Sequence, residues 1–163
     1  MPKKKFIKLE DLVKVRARIK KQGKKVVFTN GCFDILHSGH VHLFKEAKKL
    51  GDILVVAVND DSSVKKIKGP SRPVFCLKER LEVLEAIEDI DYLTSFSDDN
   101  PQKLIGVILP DVLVKGGDWK PDEVIGKKEV EKTGGRVVII SWIKGSSTSE
   151  IIRRILKAAE SEE

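Results

Sequence analysis

The chain has 163 residues, with 31 Lys and Arg against 25 Asp and Glu, a formal charge of +6, 40% hydrophobic residues and 6% aromatics. This length suits one domain and falls short of the roughly 250 residues of a (β/α)8 barrel. The apolar content excludes disorder, and the longest apolar runs are far below the roughly 18 residues of a membrane span.

In chain order, the start, Met1-Pro2-Lys3-Lys4-Lys5, is basic, but no apolar stretch follows, so no signal peptide is expected. Leu9, Leu12, Val13 and Ile19 recur at helical spacing and predict a helix over residues 8–22. A β-branched strand runs from Lys25 to Thr29 and a helix from His40 to Leu50, stopped by Gly51. Ile53 to Val58 is a strand apolar on both faces. Lys66 to Pro73 reads as a mobile loop, Leu77 to Glu88 as a helix and Asp91 to Thr94 as a short strand. Pro101 sits at a helix start, where its missing N–H costs nothing. A strand (Val112 to Lys115), a helix (Glu123 to Lys132), a strand (Arg136 to Ile140) and a last helix (Thr148 to Ala159) follow, with a frayed tail over 161–163.

Strands buried on both faces belong in parallel sheets covered by helices, and right-handed crossovers then wind the chain on both sides. The expectation is an α/β fold: a doubly wound, five-stranded, Rossmann-like parallel sheet. One domain is expected over 1–163, with an N-terminal helical extension (1–24) and a core (25–158). Cys32 and Cys76 form neither a disulfide framework nor a zinc pattern, which with the missing signal peptide points to the cytoplasm. The basic residues are spread along the chain without interleaved aromatics, so no nucleic-acid partner is expected, and no membrane partner either.

In such sheets ligands bind beyond the carboxyl ends of the strands, so the segments after the strands carry the chemistry. After the first comes Asn30-Gly31-Cys32-Phe33-Asp34-Ile35-Leu36-His37-Ser38-Gly39-His40. His37 and His40, three apart at a helix entry, share one face, and Gly31 and Gly39 let backbone amides approach a ligand. With the partial positive charge of a helix N-terminus, the pair suits a phosphate. His42 falls on a different face and reads as structural or exposed. Asn59 ends the second strand. Lys115-Gly116-Gly117-Asp118 ends the fourth, either as a plain turn or as a site where Asp118 meets a hydroxyl. Ser146-Ser147-Thr148-Ser149 provides an N-cap with more hydroxyls than one cap needs, so a second phosphate site is expected there. Lys68, Arg72 and Arg80 are either a solvated charge run or cations of a phosphate clamp. P-loop and dinucleotide fingerprints are absent.

The stretch from Gly31 to His40 resembles the signature of the cytidylyltransferase-like nucleotidyltransferases, and Ser147-Thr148-Ser149 is similar to that family's second phosphate motif. Lys-Gly-Gly-Asp at 115–118 and Lys-Gly-Pro-Ser-Arg-Pro at 68–73 narrow the likeness to the branch that adenylylates heptose 1-phosphate, over about residues 24–157. Phospholipid-precursor cytidylyltransferases usually carry an Arg three residues before the glycine of the last motif. Trp142 stands there in this chain, which sets it apart from that branch.

The resemblance implies ATP as a substrate, Mg2+, and attack by a sugar 1-phosphate on the α-phosphate in the cytoplasm; a homodimer is compatible with it. It implies catalytic roles for His37, His40 and Lys45. It places nucleotide contacts on Asn30 to Phe33, Gly39, Asn59, Lys68, Arg72, Lys115, Gly117, Asp118 and Ser146 to Ser149, and puts Asp34 and Arg80 at the sugar phosphate. The alternatives are a cytidylyltransferase acting on glycerol 3-phosphate or phosphoethanolamine and, from another class, a phosphate-receiving signalling module, which would place acidic residues after its first strand.

Overall fold

The computed structural model describes residues 4–143 and 145–161; Met1 to Lys3, Lys144 and the tail residues Glu162 and Glu163, read above as frayed, lie outside them. Five strands, β1 (Val26–Gly31), β2 (Ile53–Asn59), β3 (Tyr92–Phe96), β4 (Val112–Gly116) and β5 (Arg136–Ile140), form one all-parallel sheet in the order β3-β2-β1-β4-β5. Among the described residues, seven α-helices connect and cover it: α1 (Leu9–Lys21), α2 (Ser38–Lys48), α3 (Asp61–Lys68), α4 (Leu77–Glu85), α5 (Gln102–Ile108), α6 (Lys127–Lys132) and α7 (Thr148–Glu160).

Side chains of period two divide the apolar strands between two cores. Val26 and Phe28 of β1, Val55 and Ala57 of β2 and Leu113 of β4 pack with Leu12 and Ile19 of α1, Ile105 and Ile108 of α5 and Val130 of α6. Val27, Leu54, Val56, Val58, Val112 and Val114 point the other way, onto Phe44 and Ala47 of α2 and Leu84 of α4. The near-continuous apolar run of β2 is thus two interleaved faces, each closed by helices, as a doubly wound sheet requires.

The N-terminal extension is part of this packing. Phe6 bridges Leu93 in parallel, with Ile7 N–H donating to the Leu93 carbonyl, so residues 5–7 cover the free edge of β3. Buried Arg16 of α1 donates to the carbonyl of Leu109, which ends α5 in the left-handed conformation, and pairs with Asp111 at 3.2 Å.

Two elements differ from their sequence reading. The mobile-loop reading of Lys66 to Pro73 overlaps helix α3, whose last turn holds Lys66 and Lys68. Asp60 caps it by accepting from Ser63 N–H, and Gly69, at φ +99°, ends it; this cap-and-glycine pair was the available signal. The helix expected over Glu123 to Lys132 is a 3-10 turn at Pro121–Glu123 followed by α6. Gly126 interrupts it at φ +91°, where a side chain would meet Ile105 Cδ1 at 2.6 Å.

The sheet order reverses between β1 and β4. These strands pair over Val27–Val112 and Phe28–Leu113, whereas β1 pairs with β2 along six residues. The crevice beyond the carboxyl ends of β1 and β4 is where such a sheet takes its ligand.

Candidate active site

A cleft of about 350 Å3 occupies that crevice, lined by the turn after β1, the ends of β2, β4 and β5, and the starts of α2 and α7. The volume lies within the range of small-molecule sites.

Beyond β1 the chain makes a tight turn with Phe33 in the left-handed region at φ 46°, a conformation rare for a bulky residue. Its ring is buried and lies under Gly31, where a Cβ would stand 3.0 Å from Phe33 Cζ. The same ring meets Phe44 and, edge-on, the His40 imidazole at 5.3 Å. Phe33 is therefore a wedge between core and site.

His37 is the N-cap of α2, and its Nδ1 accepts from Gly39 N–H at 3.1 Å. In the neutral ring the proton then sits on Nε2, leaving that nitrogen as a donor. The His37 and His40 rings stack with centroids 3.9 Å apart. Burial lowers the pKa of His37. For His40, burial and then the neighbouring His37 push it down to about 3. Both rings are neutral at pH 7 and act as hydrogen-bonding dipoles. His40 Nδ1 is buried with no partner among the described residues, a polar atom that a ligand in the cleft can satisfy.

The hydroxyl run meets this turn directly. Ser147 is the N-cap of α7, accepting from Glu150 N–H at 3.1 Å, and Thr148 Oγ1 donates to the Ile35 carbonyl at 3.2 Å. Ser38 and Ser146 hydroxyls lie 3.3 Å apart. A Cβ on Gly39 would stand 2.9 Å from the His37 ring and 3.2 Å from Ser146 Cβ, so only glycine lets the starts of α2 and α7 come this close. Ser147, Thr148 and Ser149 line the same cleft as His37 and His40. Two helix N-termini, each with free amides and positive dipole ends, thus share one opening with the stacked imidazoles.

Across the switch point, Lys115 donates to Asn30 Oδ1, and burial pushes its pKa down to about 8. Asn59 is buried in the cleft wall, its amide donating to Ser63 Oγ at 2.8 Å. Lys68, Arg72 and half-buried Cys32 also line the cleft, and burial raises the Cys32 thiol pKa, with Lys68 and Arg80 acting against it. The chemistry available is anion binding by amides, hydroxyls, imidazoles and a lysine.

The cytidylyltransferase-like family model matches residues 28–154. The chain belongs to the cytidylyltransferase-like family. It is 52% identical over 151 residues to "Bifunctional protein HldE" of Salmonella arizonae, an alignment covering 93% of this chain and 32% of that protein, so the chain spans about a third of the curated relatives it matches. The crystal structure of the lipopolysaccharide core biosynthesis protein from Thermoplasma volcanium is 35% identical with a TM-score of 0.61, covering 76% of this chain and all of that one. The fold extends to the pantoate-β-alanine ligase of Francisella tularensis, at 16% identity and a TM-score of 0.57, over 83% of this chain and 66% of that one.

Several expected residues of this cytidylyltransferase-like cleft stand elsewhere. Lys45, expected to be catalytic, is exposed and does not line the cleft: α2 turns Phe44 and Ala47 to the core and leaves Lys45 on its outer side. Arg80, expected at the substrate, has a guanidinium with no exposed surface, bound to the Cys32 and Phe75 carbonyls and to Asp61. Asp34, expected at the sugar phosphate, does line the cleft, but its carboxylate is fully covered and already accepts from three partners. Asp118 and Ser146 line a smaller depression beside the cleft, together with Trp142 and Ser147.

Other residues enter the cytidylyltransferase-like site unannounced. His42 lines the cleft despite its reading as structural or exposed. Trp119 and Trp142 also line it, each about half exposed. Trp142 lies so close over Gly117, at φ +119°, that a Cβ there would fall 2.1 Å from its Nε1. Both tryptophans follow strand ends, the one signal in the sequence that placed them near the cleft.

Proposed function

We propose that the protein transfers AMP from ATP to a sugar 1-phosphate of the heptose class, giving ADP-heptose and pyrophosphate for lipopolysaccharide core precursors. The observation that carries this reading is the meeting of the His37–His40 stack with the Ser147–Ser149 helix start in one cleft. The likeness to HldE and to the Thermoplasma volcanium protein supports the substrate class.

In this reading the substrate's phosphate oxygen attacks the α-phosphorus in line. Its new O–P bond forms as the bond from the α-phosphorus to the α,β-bridging oxygen breaks, and pyrophosphate leaves with that oxygen. The nucleophile is an anion at neutral pH, so positioning and charge stabilisation do most of the work. His37 Nε2–H, His40 and Lys115 face charge that builds on the phosphates, while the Ser147 and Ser149 hydroxyls and the amides of α7 hold the β- and γ-phosphates, and Thr148, its O–H given to the Ile35 carbonyl, fixes the start of α7. Among the described residues, no group of three or more His, Cys, Asp or Glu side chains could hold a metal ion. In this reading Mg2+ would come with ATP as MgATP and would supply neutralisation of the charge on its phosphates.

Incubation with Mg2+, ATP or CTP, and a panel of sugar 1-phosphates, glycerol 3-phosphate and phosphoethanolamine tests this reading through released pyrophosphate and product mass. Turnover of ATP with heptose 1-phosphate is expected; turnover of CTP with the other acceptors overturns it. Replacing Ser147 and Thr148 together by alanine is expected to weaken ATP binding about 10- to 100-fold, as charge-assisted contacts and a helix cap are removed. Titration calorimetry of the double variant checks this, and unchanged affinity removes the α7 start from the site.

A further inference from the structure

Asp34 and Arg80 were expected to touch substrate; Asp34 does border the cleft, but the side chains of both are covered by the segment that joins α3 to α4. The Asp34 side chain has no exposed surface. It accepts from Arg72 Nε at 2.6 Å, from Val74 N–H at 2.9 Å and from Phe75 N–H at 2.9 Å. Burial alone would raise its pKa, but the Phe75 and Val74 amides and Arg72 outweigh that and hold it below the usual carboxylate range. The Arg80 guanidinium, also without exposed surface, donates to the Phe75 carbonyl at 3.1 Å, to the Cys32 carbonyl and to the Asp61 carboxylate at 2.9 Å. Phe75 is thus gripped at both its N–H and its C=O.

The segment has little else to hold it. Val74 and Phe75 carry apolar side chains yet are 52% and 43% exposed, so packing does not fix its place and the polar bonds do. Those bonds lead back to one feature, the turn after β1. Asp34 is part of it, and Arg80 holds its Cys32 carbonyl together with Asp61 at the start of α3. The segment follows Lys68 and contains Arg72, and both line the cleft with His37 and His40. Arg72 gives Nε to Asp34, and a guanidinium carries four further N–H donors.

We propose that Asp34 and Arg80 are positioning residues that strap the Gly69–Cys76 segment to the histidine-bearing turn, so that Lys68 and Arg72 are set at the cleft before an anionic substrate arrives. Cations fixed in advance lose less freedom on binding, and the strap makes the segment's position part of the fold.

Hydrogen exchange of the full chain without ligand reads the strap directly. Amides in 69–76 are expected to be protected in the wild type. They should exchange at least about tenfold faster in Asp34→Asn, which loses charge-assisted bonds, while the strands keep their protection. Arg72→Ala, a change in the surface segment itself, should give a smaller increase and keeps the test open if Asp34→Asn does not fold. The kinetic arm rests on the proposed reaction: KM for ATP should rise about tenfold or more in Asp34→Asn, with kcat changed much less. Unchanged exchange over 69–76 in both variants overturns the strap, as does a fall in kcat at unchanged KM, which would mark Asp34 as acting on the reacting atoms. A wild type that turns over no ATP with any acceptor refutes the proposed reaction and leaves the exchange result to decide the strap.

Discussion

Replacing His40 by alanine is expected to lower kcat about 10²–10³-fold, the cost of one preorganised donor at developing charge, while the protein stays folded. The imidazole is held by the His37 ring on one side and the Phe33 edge on the other, and its Nδ1 has no partner among the described residues. Its removal takes a dipole from the cleft without leaving a bonded partner orphaned, and the α2 cap, which belongs to His37, is untouched. The same imidazole gives an acid signature. Its folded pKa of about 3 lies below the ordinary 6.5, so between these values the unfolded chain binds more protons than the folded one. Wild-type stability therefore falls as pH drops from about 6.5 towards 3, with a limiting slope of about 1.4 kcal/mol per unit, and His40→Ala should flatten this limb. Steady-state kinetics and melting curves across pH check both. Near-normal turnover in the variant removes His40 from the chemistry.

Replacing Lys115 by methionine is expected to weaken ATP binding about 10- to 100-fold and to abolish its alkaline pH dependence. With a pKa of about 8, Lys115 is cationic at pH 7 and loses its charge above 8. Phosphate oxygens beside it favour the charged form. Binding is then coupled to proton uptake near pH 8 and above, and affinity falls as pH rises through that region. Calorimetry in buffers of different ionisation enthalpy measures the uptake. The stability effect has the opposite sense. Between about 8 and the ordinary 10.5, the unfolded chain again binds more protons, so the buried charge costs stability at neutral pH. The methionine variant should unfold no earlier than the wild type, a trade of stability for function typical of binding sites. An ATP affinity that still falls above pH 8 in the variant assigns the titration elsewhere.

Much of this architecture could be read from the chain. Interleaved apolar positions in Val26 to Phe28 and Ile53 to Val58, alternating with amphipathic stretches, suffice for a parallel α/β sheet, because period and burial are local properties. The rule that ligands sit beyond the carboxyl ends of such strands then singled out the segments holding His37, His40, Lys115 and Ser147 to Ser149. Short elements escaped: α3 has eight residues and declares itself by its caps more than by its periodicity.

Charged residues near the site were the hardest to assign, and the reason is physical. Asp34, Arg80, Lys45 and Lys115 all carry functional groups suited to phosphate or sugar chemistry, and composition says nothing of which partners already claim them. Long-range contacts decide that. Asp34 is saturated by a segment 38 to 41 positions away and Arg80 by a turn 48 positions away. Lys45 lies on the outer side of its helix, while Lys115 is partly buried and bonded to Asn30, 85 positions distant. Local sequence sets which residues stand at the strand ends; the folded packing sets which remain free to meet a ligand, since a buried charge whose bonding positions are all taken has little left to offer one, whereas Lys115 gives Asn30 one of its three N–H donors and keeps two.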